Sequence, residues 1–497
     1  MAKITIKNFR GMNLQKGQWS NNFAKYVKEI DLYGLNDNPN KISFPGVLQG
    51  AVATKVMSEA GGVSSVTEAI QDFEYYNTDL KFYAIGRANP ARIYRLENNG
   101  GVDTWTWVSA GSSAITTSGN GNNLKEYAGN LYYASHSHLG KYDGTTGNAN
   151  FKSFTNTLTS PRPMKVMGGS LYIGAGNFVS KYDGTTWIEN KLILPSDMVV
   201  RSIEVFEDRL IISADDLKIN KIFIWDGISP TFEDFLTVAD ESRAISIVAS
   251  NGILWGVSNR GSSPMNQVYV FNGSVFNAEF LLPIQRSDTF APPAGLTSYK
   301  NGILIGGEDT STANYEDGTG GCWYVGKDAI RDEFYATLMF TRAGTATNKV
   351  IHGIFTAGNI SPNSVDIPLL FSVNAGSGVF EIDALDTTNY YTATAGVWQS
   401  LPIDADDNTQ NKIWKSIILN FNENDISSID SITIKYKLNN DASFTTLKTL
   451  TLSGEVGKII PIRRKGRTIE IRLEVNSSSS RGTTVDSFTL EYELTKI

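Results

Sequence analysis

Carboxylates recur at similar intervals along this chain, each followed by a glycine. Asp143, Asp183 and Asp226 precede Gly, and Asn272 takes the fourth place, with spacings of 40, 43 and 46 residues. A set of Asp side chains could bind calcium or act in acid–base catalysis. Asp-Gly also suits a tight hairpin turn, because Asp bonds its own backbone and Gly adopts positive φ. Since Asn272 keeps the turn and loses the charge, we predict a structural role.

Histidines offer a second candidate site. His136-Ser137-His138 is a close pair, and His352 is the third of three histidines. Residues i and i+2 of a strand share a face, so both rings could reach one metal ion. No carboxylate or Cys is close enough in sequence to complete a zinc site, so we predict two loop histidines. Cys322 is the single cysteine, which excludes an intrachain disulfide, and we predict that it is buried.

A glycan-active enzyme is the main catalytic alternative. The run from Ser180 to Trp187 is similar to the Asp box of sialidase propellers, but Asp183 follows Ser180 by three positions and the motif requires two. A sialidase also needs clustered arginines and a Tyr nucleophile. Nothing in the sequence indicates that the candidate arginines lie close together in the fold. They are Arg201, Arg209, Arg243 and Arg260. Ser-hydrolase, P-loop, dinucleotide-binding and zinc-protease motifs are missing. We predict no enzyme, no catalytic residue, no metal and no cofactor.

The same turns mark a longer repeat. Each unit reads as strand, polar loop, strand and Asp-Gly or Asn-Gly turn, as in 129–144, 169–184, 208–227 and 251–273. A period of roughly 40 to 50 residues with several strands per unit is typical of β-propeller blades. Further copies begin near residues 80, 301 and 369. We predict an all-β chain with a propeller over residues 71–403, with seven blades favoured and six or eight as alternatives.

Residues 1–70 precede the repeats and are interrupted by Gly and Pro. Ile4 and Ile6 alternate with polar residues, which favours a short strand. A ring of blades must be closed, and a strand from one terminus often completes the final blade. We therefore predict that a strand within residues 1–70 pairs with the last blade.

Residues 404–497 have a different period. Apolar and polar residues alternate over 431–438, 468–475 and 488–494, which indicates strands with one buried face. Together with 413–421, 443–452 and 457–463 they give about six strands, spaced as in a β-sandwich. The Asp-rich stretch 404–408 is the predicted linker.

Composition limits the classes of partner. The net charge is −7, apolar residues make up 41% of the 497 positions, and no basic stripe is present. Electrostatically driven nucleic-acid binding is therefore not expected. The N-terminus lacks the apolar run of a secretory signal, and no stretch reaches 18 apolar residues, so we expect no export signal and no membrane segment.

The arrangement resembles bacteriophage virion proteins that join a propeller to a terminal sandwich, such as tail-nozzle and other tail-associated proteins. The opening Phe9-Arg10-Gly11-Met12-Asn13 and the closing strands 466–474 and 487–493 carry the resemblance. It implies a structural component of a tailed-phage virion, assembled in the host cytoplasm as an oligomeric ring. The implied partners are copies of itself and other virion proteins, which contact the sandwich edges and the N-terminal segment.

A carbohydrate- or host-receptor-binding virion protein is the alternative. Such binding needs exposed aromatic residues on one face of the ring, or a binding loop at its rim. The polar loop 309–321 is one candidate. The available tryptophans are Trp187, Trp225, Trp255 and Trp323, and we expect them to pack between blades.

Overall fold

A computed structural model describes most of the chain. The described residues are 2–6, 26–30, 32–33, 49–50, 52–56, 68–99, 102–107, 109–110, 113–114, 116–117, 119–155, 161–216, 218–238, 244–259, 266–282, 295–299, 301–309, 322–328, 333–340, 349–356, 369–376, 379–390, 396–405, 409–421, 431–439, 441–451, 457–476 and 485–495. They form strands and no α-helix, which confirms the predicted all-β class. None of these segments is a helix long and apolar enough to span a bilayer.

The strands are numbered in chain order. The first five are β1 Ala2–Ile6, β2 Tyr26–Ile30, β3 Leu32–Tyr33, β4 Gln49–Gly50 and β5 Val52–Val56. Blade 1 contains β6 Ile70–Tyr76, β7 Lys81–Gly86, β8 Ile93–Asn99 and β9 Val102–Trp107. A short hairpin follows, β10 Ser109–Ala110 and β11 Ser113–Ala114. Blade 2 contains β12 Gly121–Tyr127, β13 Asn130–Ser135, β14 His138–Tyr142 and β15 Gly147–Ser153.

Three more blades repeat this order. Blade 3 contains β16 Met164–Met167, β17 Ser170–Ala175, β18 Phe178–Tyr182 and β19 Trp187–Ile193. Blade 4 contains β20 Val199–Phe206, β21 Arg209–Asp215, β22 Asn220–Trp225 and β23 Asp234–Val238. Blade 5 contains β24 Ala244–Ser250, β25 Ile253–Asn259, β26 Asn266–Phe271 and β27 Phe276–Leu282. In each blade the four strands are antiparallel neighbours in sequence order, as meandering propeller sheets require.

The remaining strands complete the set. Those before residue 391 are β28 Leu296–Tyr299, β29 Gly302–Gly306, β30 Glu308–Asp309, β31 Cys322–Asp328, β32 Glu333–Phe340, β33 Lys349–Thr356, β34 Leu369–Gly376 and β35 Val379–Tyr390. The last are β36 Gly396–Ser400, β37 Lys412–Phe421, β38 Ser431–Leu438, β39 Thr445–Thr451, β40 Gly457–Gly466, β41 Ile469–Asn476 and β42 Val485–Leu494.

The chain divides into two compact units. One contains residues 1–54, 314–343 and 386–497, and the other contains residues 55–313 and 344–385. The second unit holds the seven inner strands of the propeller. Its inner strands contact one another in the order β6, β12, β16, β20, β24, β28 and β33, and β33 contacts β6 in turn. The contacts therefore close a ring of seven blades, the number that the repeat favoured.

Apolar packing closes the ring between the last blade and the first. Phe73 and Phe82 of blade 1 share a buried cluster with Leu370 of β34 and Ile382 of β35, which belong with β33 to the last blade. The buried Ser372 hydroxyl accepts a hydrogen bond of 3.1 Å from the backbone N–H of Ile70. This bond satisfies an inner-edge donor that would otherwise be costly to bury.

Hydrogen bonds from tyrosine hydroxyls to backbone carbonyls link other neighbouring blades. The Tyr76 hydroxyl donates to the carbonyl of Gly129 at 2.8 Å, and Tyr127 donates to Gly169 at 2.7 Å. Both tyrosines end an inner strand, and both acceptors lie in the first turn of the next blade. Second strands such as β17, Ser170–Ala175, are buried throughout, so the blades pack on both faces.

The first unit contains a β-sandwich. One sheet has the order β1-β42-β37-β40, and the other has β2-β36-β41-β38-β39. The buried faces meet where Trp398 of the second sheet lies 5.7 Å from Phe488 of the first, measured between ring centroids. Along β38 burial alternates strictly, as its sequence period predicted.

The N-terminal strands have separate positions. Ala2–Ile6, around the predicted Ile4–Ile6 strand, pairs antiparallel with β42 in the sandwich. Val52–Val56, through which the boundary between the two units runs, is the outer strand of the sheet β30-β33-β34-β35-β5. The requirement for such a strand in ring closure stays a prediction, as do the boundaries 1–70, 71–403 and 404–497.

Candidate functional site

Ionisable side chains gather on the inner strands of blades 1 to 4. Two positions before the last residue of each inner strand stand Glu74, Lys125, Lys165 and Glu204. Glu74 Oε1 lies 2.6 Å from Lys125 Nζ, and Lys165 Nζ lies 2.9 Å from Glu204 Oε2. Each ion pair joins neighbouring blades. We call these four residues, together with Asp72, the inner charge cluster.

Asp72 is the most perturbed acid of the cluster. Its Oδ2 accepts from Leu124 N at 3.0 Å and Asn123 Nδ2 at 3.1 Å, and its Oδ1 accepts from Phe73 N at 2.9 Å. Burial raises the pKa of Asp72 to about 6, and the Glu74 carboxylate adds to this rise, while the hydrogen bonds oppose it. Although the residue is half-buried by surface area, its carboxylate lies deep among protein atoms.

Three carboxylates of the inner charge cluster act on Lys125. Burial alone would lower its pKa, but the carboxylates of Glu74, Asp72 and Glu204 outweigh burial and raise it. Lys125 therefore remains protonated at neutral pH.

A pKa near 6 would suit a general base. However, the Asp72 oxygens accept from the next blade's backbone and side chain, and Glu74 Oε1 accepts from both Lys125 and, at 3.3 Å, Glu126 N. A glycosidase needs two carboxylates that flank an open substrate position. These two instead bind the edge of the next inner strand, so the arrangement links blades.

The repeated Asp-Gly sites form turns, as predicted. Asp183 Oδ1 accepts from Thr185 N at 2.9 Å and Thr186 N at 2.7 Å, and Gly184 has φ 95°. Asp143 and Asp226 make the same pair of backbone bonds. Asn272 does so without a charge, at 3.0 Å to both donors. The backbone N–H groups of Thr186 and Thr185 lower the pKa of Asp183 to about 2.

The histidine pair is held by local contacts. His138 Nδ1 lies 2.8 Å from Ser137 Oγ, and the carbonyl of His136 accepts from the buried Arg162 at 2.5 Å. Burial, followed by the charges of Arg162 and Arg87, lowers the pKa of His136. Throughout the described parts of the chain, no group of three or more His, Cys, Asp or Glu side chains could hold a metal ion. His352 lies in β33, and its side chain is outside the described residues.

The arginines and tryptophans named above have separate surroundings. Arg201 pairs with the buried Asp215 at 2.7 Å, and Arg209 pairs with Glu233 at 2.8 Å. These two pairs lie at opposite ends of the β20–β21 hairpin, while Arg243 and Arg260 are outside the described residues. Cys322 is buried, as predicted. Of the four tryptophans named above, three are fully buried, namely Trp225, Trp255 and Trp323.

Two candidates for a binding surface remain, Trp187 and loop 309–321. Trp187 is half-buried, with its ring centroid 6.0 Å from that of Phe154. Loop 309–321 lies outside the described residues apart from Asp309.

Sequence reasoning missed the inner charge cluster. Its signal was available: Glu74, Lys125 and Glu204 each precede by two the aromatic residue that ends an inner strand. The repeats are recognised by their Asp-Gly turns, and that alignment does not compare the inner-strand positions of one blade with those of another.

Comparison with known proteins gives structural neighbours alone. No family model matches the chain, and no curated protein matches it. Among solved structures, the WD40 repeats of RRP9 are 8% identical with a TM-score of 0.44, covering 68% of this chain and 100% of that one. The WD40 domain of Toxoplasma gondii coronin is 10% identical with a TM-score of 0.45, covering 73% and 90%. The computationally designed protein Ika8 is 11% identical with a TM-score of 0.34, covering 70% and 97%.

Proposed function

We propose that this protein is a structural component of a bacteriophage tail, in which the propeller acts as a rigid scaffold. The observation that carries the proposal is the use of inner polar groups to join blades. Glu74–Lys125 and Lys165–Glu204 each link two blades, and the Asp72 oxygens bind the next strand. A ring linked in this way resists deformation, because opening it would leave these partly buried polar groups without partners.

The sandwich supplies the proposed contact surfaces. Strand β40 is an edge of its sheet within the described part of the chain, and Ile459 on it is 69% exposed. Its residues Arg463, Arg464 and Lys465 are also exposed. Pro461 and these cationic side chains protect the edge from unspecific strand pairing, so the proposed contact is made by side chains. Copies of this protein and other virion proteins are the proposed partners, assembled in the host cytoplasm.

Immunogold electron microscopy of purified virions tests the proposal. Antibodies raised against the purified chain should label tails of intact particles at a constant position. An antibody to an unrelated host protein provides the background level. Signal found only in the soluble fraction of infected cells, with particles at background, would reject a virion role. Label on heads alone would reject the tail assignment.

A further inference from the structure

Blades 3 and 4 are joined at the propeller rim by two hydrogen bonds. The Tyr172 hydroxyl of blade 3 donates to the carbonyl of Gly227 in blade 4 at 2.9 Å. Next to it, Lys191 Nζ donates to the carbonyl of Ile228. The outer strands β19 and β23 are edges of their sheets within the described residues. We call this surface, formed by Lys181, Ile188 and Lys191 of blade 3 and Lys221, Ile228 and Phe235 of blade 4, the rim groove.

Apolar side chains are exposed along the rim groove. Ile228 is 70% exposed, Ile188 is 44% exposed and Phe235 is 42% exposed. A partner that covered these three side chains would remove exposed apolar surface from water. The adjacent groove between blades 2 and 3 is different, because Trp187 packs there on Phe154.

The charges of the rim groove are positive. Lys181 Nζ lies 5.5 Å from the centroid of the Tyr172 ring, and Lys221 Nζ lies 5.0 Å from that of Phe235. With Lys191, this gives three lysines beside the apolar side chains. Asp183 and Asp226 of the nearby turns have a pKa below the ordinary value and stay ionised, so they offset part of the positive charge of the three lysines.

The groove between blades 2 and 3 contains an acid in the equivalent region. Glu189 of β19 accepts from Thr155 Oγ1 at 2.8 Å and also from its backbone N–H. With three lysines against the two turn acids, the rim groove keeps a positive excess beside exposed apolar side chains, on a chain whose net charge is −7. A complementary occupant carries carboxylates and apolar side chains.

We propose that the rim groove binds an extended, acidic and apolar segment of a partner protein. Carboxylates of the segment pair with Lys181, Lys191 and Lys221, and its apolar side chains cover Ile228 and Phe235. An extended chain presents alternate side chains to opposite faces, so a segment that alternates acidic and apolar residues along its length can serve both sets. The inference concerns the propeller surface and does not depend on the proposed tail location.

The test uses the purified full-length chain and a fluorescein-labelled peptide in which Asp or Glu alternates with Leu or Phe. Fluorescence anisotropy should show saturable binding that weakens as salt is added. The double variant Lys181→Glu/Lys221→Glu should bind at least about tenfold more weakly. Ile228→Ser should also weaken binding, because it removes apolar contact without changing charge.

A matched control lies in the adjacent groove. Lys141 Nζ and Lys152 Nζ lie 5.5 Å and 5.0 Å from the Phe151 ring centroid, so Lys141→Glu/Lys152→Glu makes the same change in net charge. This control should bind the peptide as the unmodified chain does. All variants are first compared by thermal melting, and only those that melt as the unmodified chain does are used.

Several outcomes would overturn the inference. These are no saturable binding by the unmodified chain, equal weakening in both double variants, and equal binding of an analogue with Lys in place of each acid. Groove-dependent binding of double-stranded DNA at similar affinity would identify a general polyanion site. Groove-dependent dimerisation in light scattering would identify a second copy as the occupant. Any of these could occur with tail labelling intact, so the two proposals fail separately.

Discussion

Glu74 on the inner strand of blade 1 and Lys125 on the inner strand of blade 2 form an ion pair of 2.6 Å across 51 residues of sequence. The same carboxylate oxygen accepts from the backbone N–H of Glu126 at 3.3 Å. One side chain therefore neutralises a cation and satisfies an inner-edge donor of the next blade. The pair is a link between blades that neither blade could form alone.

Removing the Glu74 charge should destabilise the propeller. In Glu74→Gln, Lys125 keeps its charge but loses its closest carboxylate, and we expect a loss of about 1–3 kcal/mol of unfolding free energy. Thermal melting and denaturant titration measure this loss. Glu233→Gln is the control, because the Arg209–Glu233 pair is exposed at 43% and 38% and should change stability by less than about 1 kcal/mol. Equal effects of the two variants would contradict the linking role.

Asp72 should make stability depend on pH in a defined direction. Its folded-state pKa of about 6 lies above the ordinary value of 3.8, so the folded chain holds this proton more tightly than the unfolded chain does. The associated stability is present below pH 3.8 and is lost as pH rises through 6.

Comparison with Asp72→Asn isolates this effect, since all other titrating groups are shared. As pH rises from about 4 to about 7, the Tm of the unmodified chain should fall relative to the Tm of the variant. Above pH 7 the difference between the two Tm values should stay constant. The free-energy change over this window is on the order of 2–3 kcal/mol. A difference that is flat across the window, or that moves in the opposite direction, would refute the raised pKa.

The Asp183 turn should depend on hydrogen-bond geometry more than on charge. Asp183→Ala removes the acceptor for Thr185 N and Thr186 N, and we expect Tm to fall by about 2 °C. Asp183→Asn should retain most of the stability, because Asn272 forms the same turn in blade 5. If Asn were as damaging as Ala, the charge would matter more than the turn. Differential scanning calorimetry makes the comparison.

Ring closure should be sensitive to one hydroxyl. Ser372→Ala leaves the buried backbone N–H of Ile70 without its acceptor, at a cost of about 1–3 kcal/mol. Thr145→Ala is the control, because its hydroxyl bonds within an exposed turn and its loss should cost less. Denaturant unfolding followed by tryptophan fluorescence measures both variants. A negligible effect of Ser372→Ala would show that the apolar cluster alone closes the ring.

Local chemistry determined what the sequence predicted correctly. Asp-Gly pairs fix a turn with their own atoms, and strand periodicity follows from which face of each strand is buried, so both can be read from a few neighbouring residues. The repeat of these signals also indicated a propeller with seven blades. The alternation over 431–438 predicted strand β38, whose buried and half-buried residues follow the same period.

Tertiary structure alone decided which distant residues meet. Lys165 and Glu204, like Glu74 and Lys125, come together because neighbouring inner strands lie side by side in the ring. Ala2–Ile6 pairs with β42, where Thr5 and Thr489 hydroxyls lie 2.9 Å apart across 484 residues. No local pattern encodes such partners, because any strand with an unpaired edge offers similar backbone donors and acceptors. The choice among them depends on the packing of complete sheets.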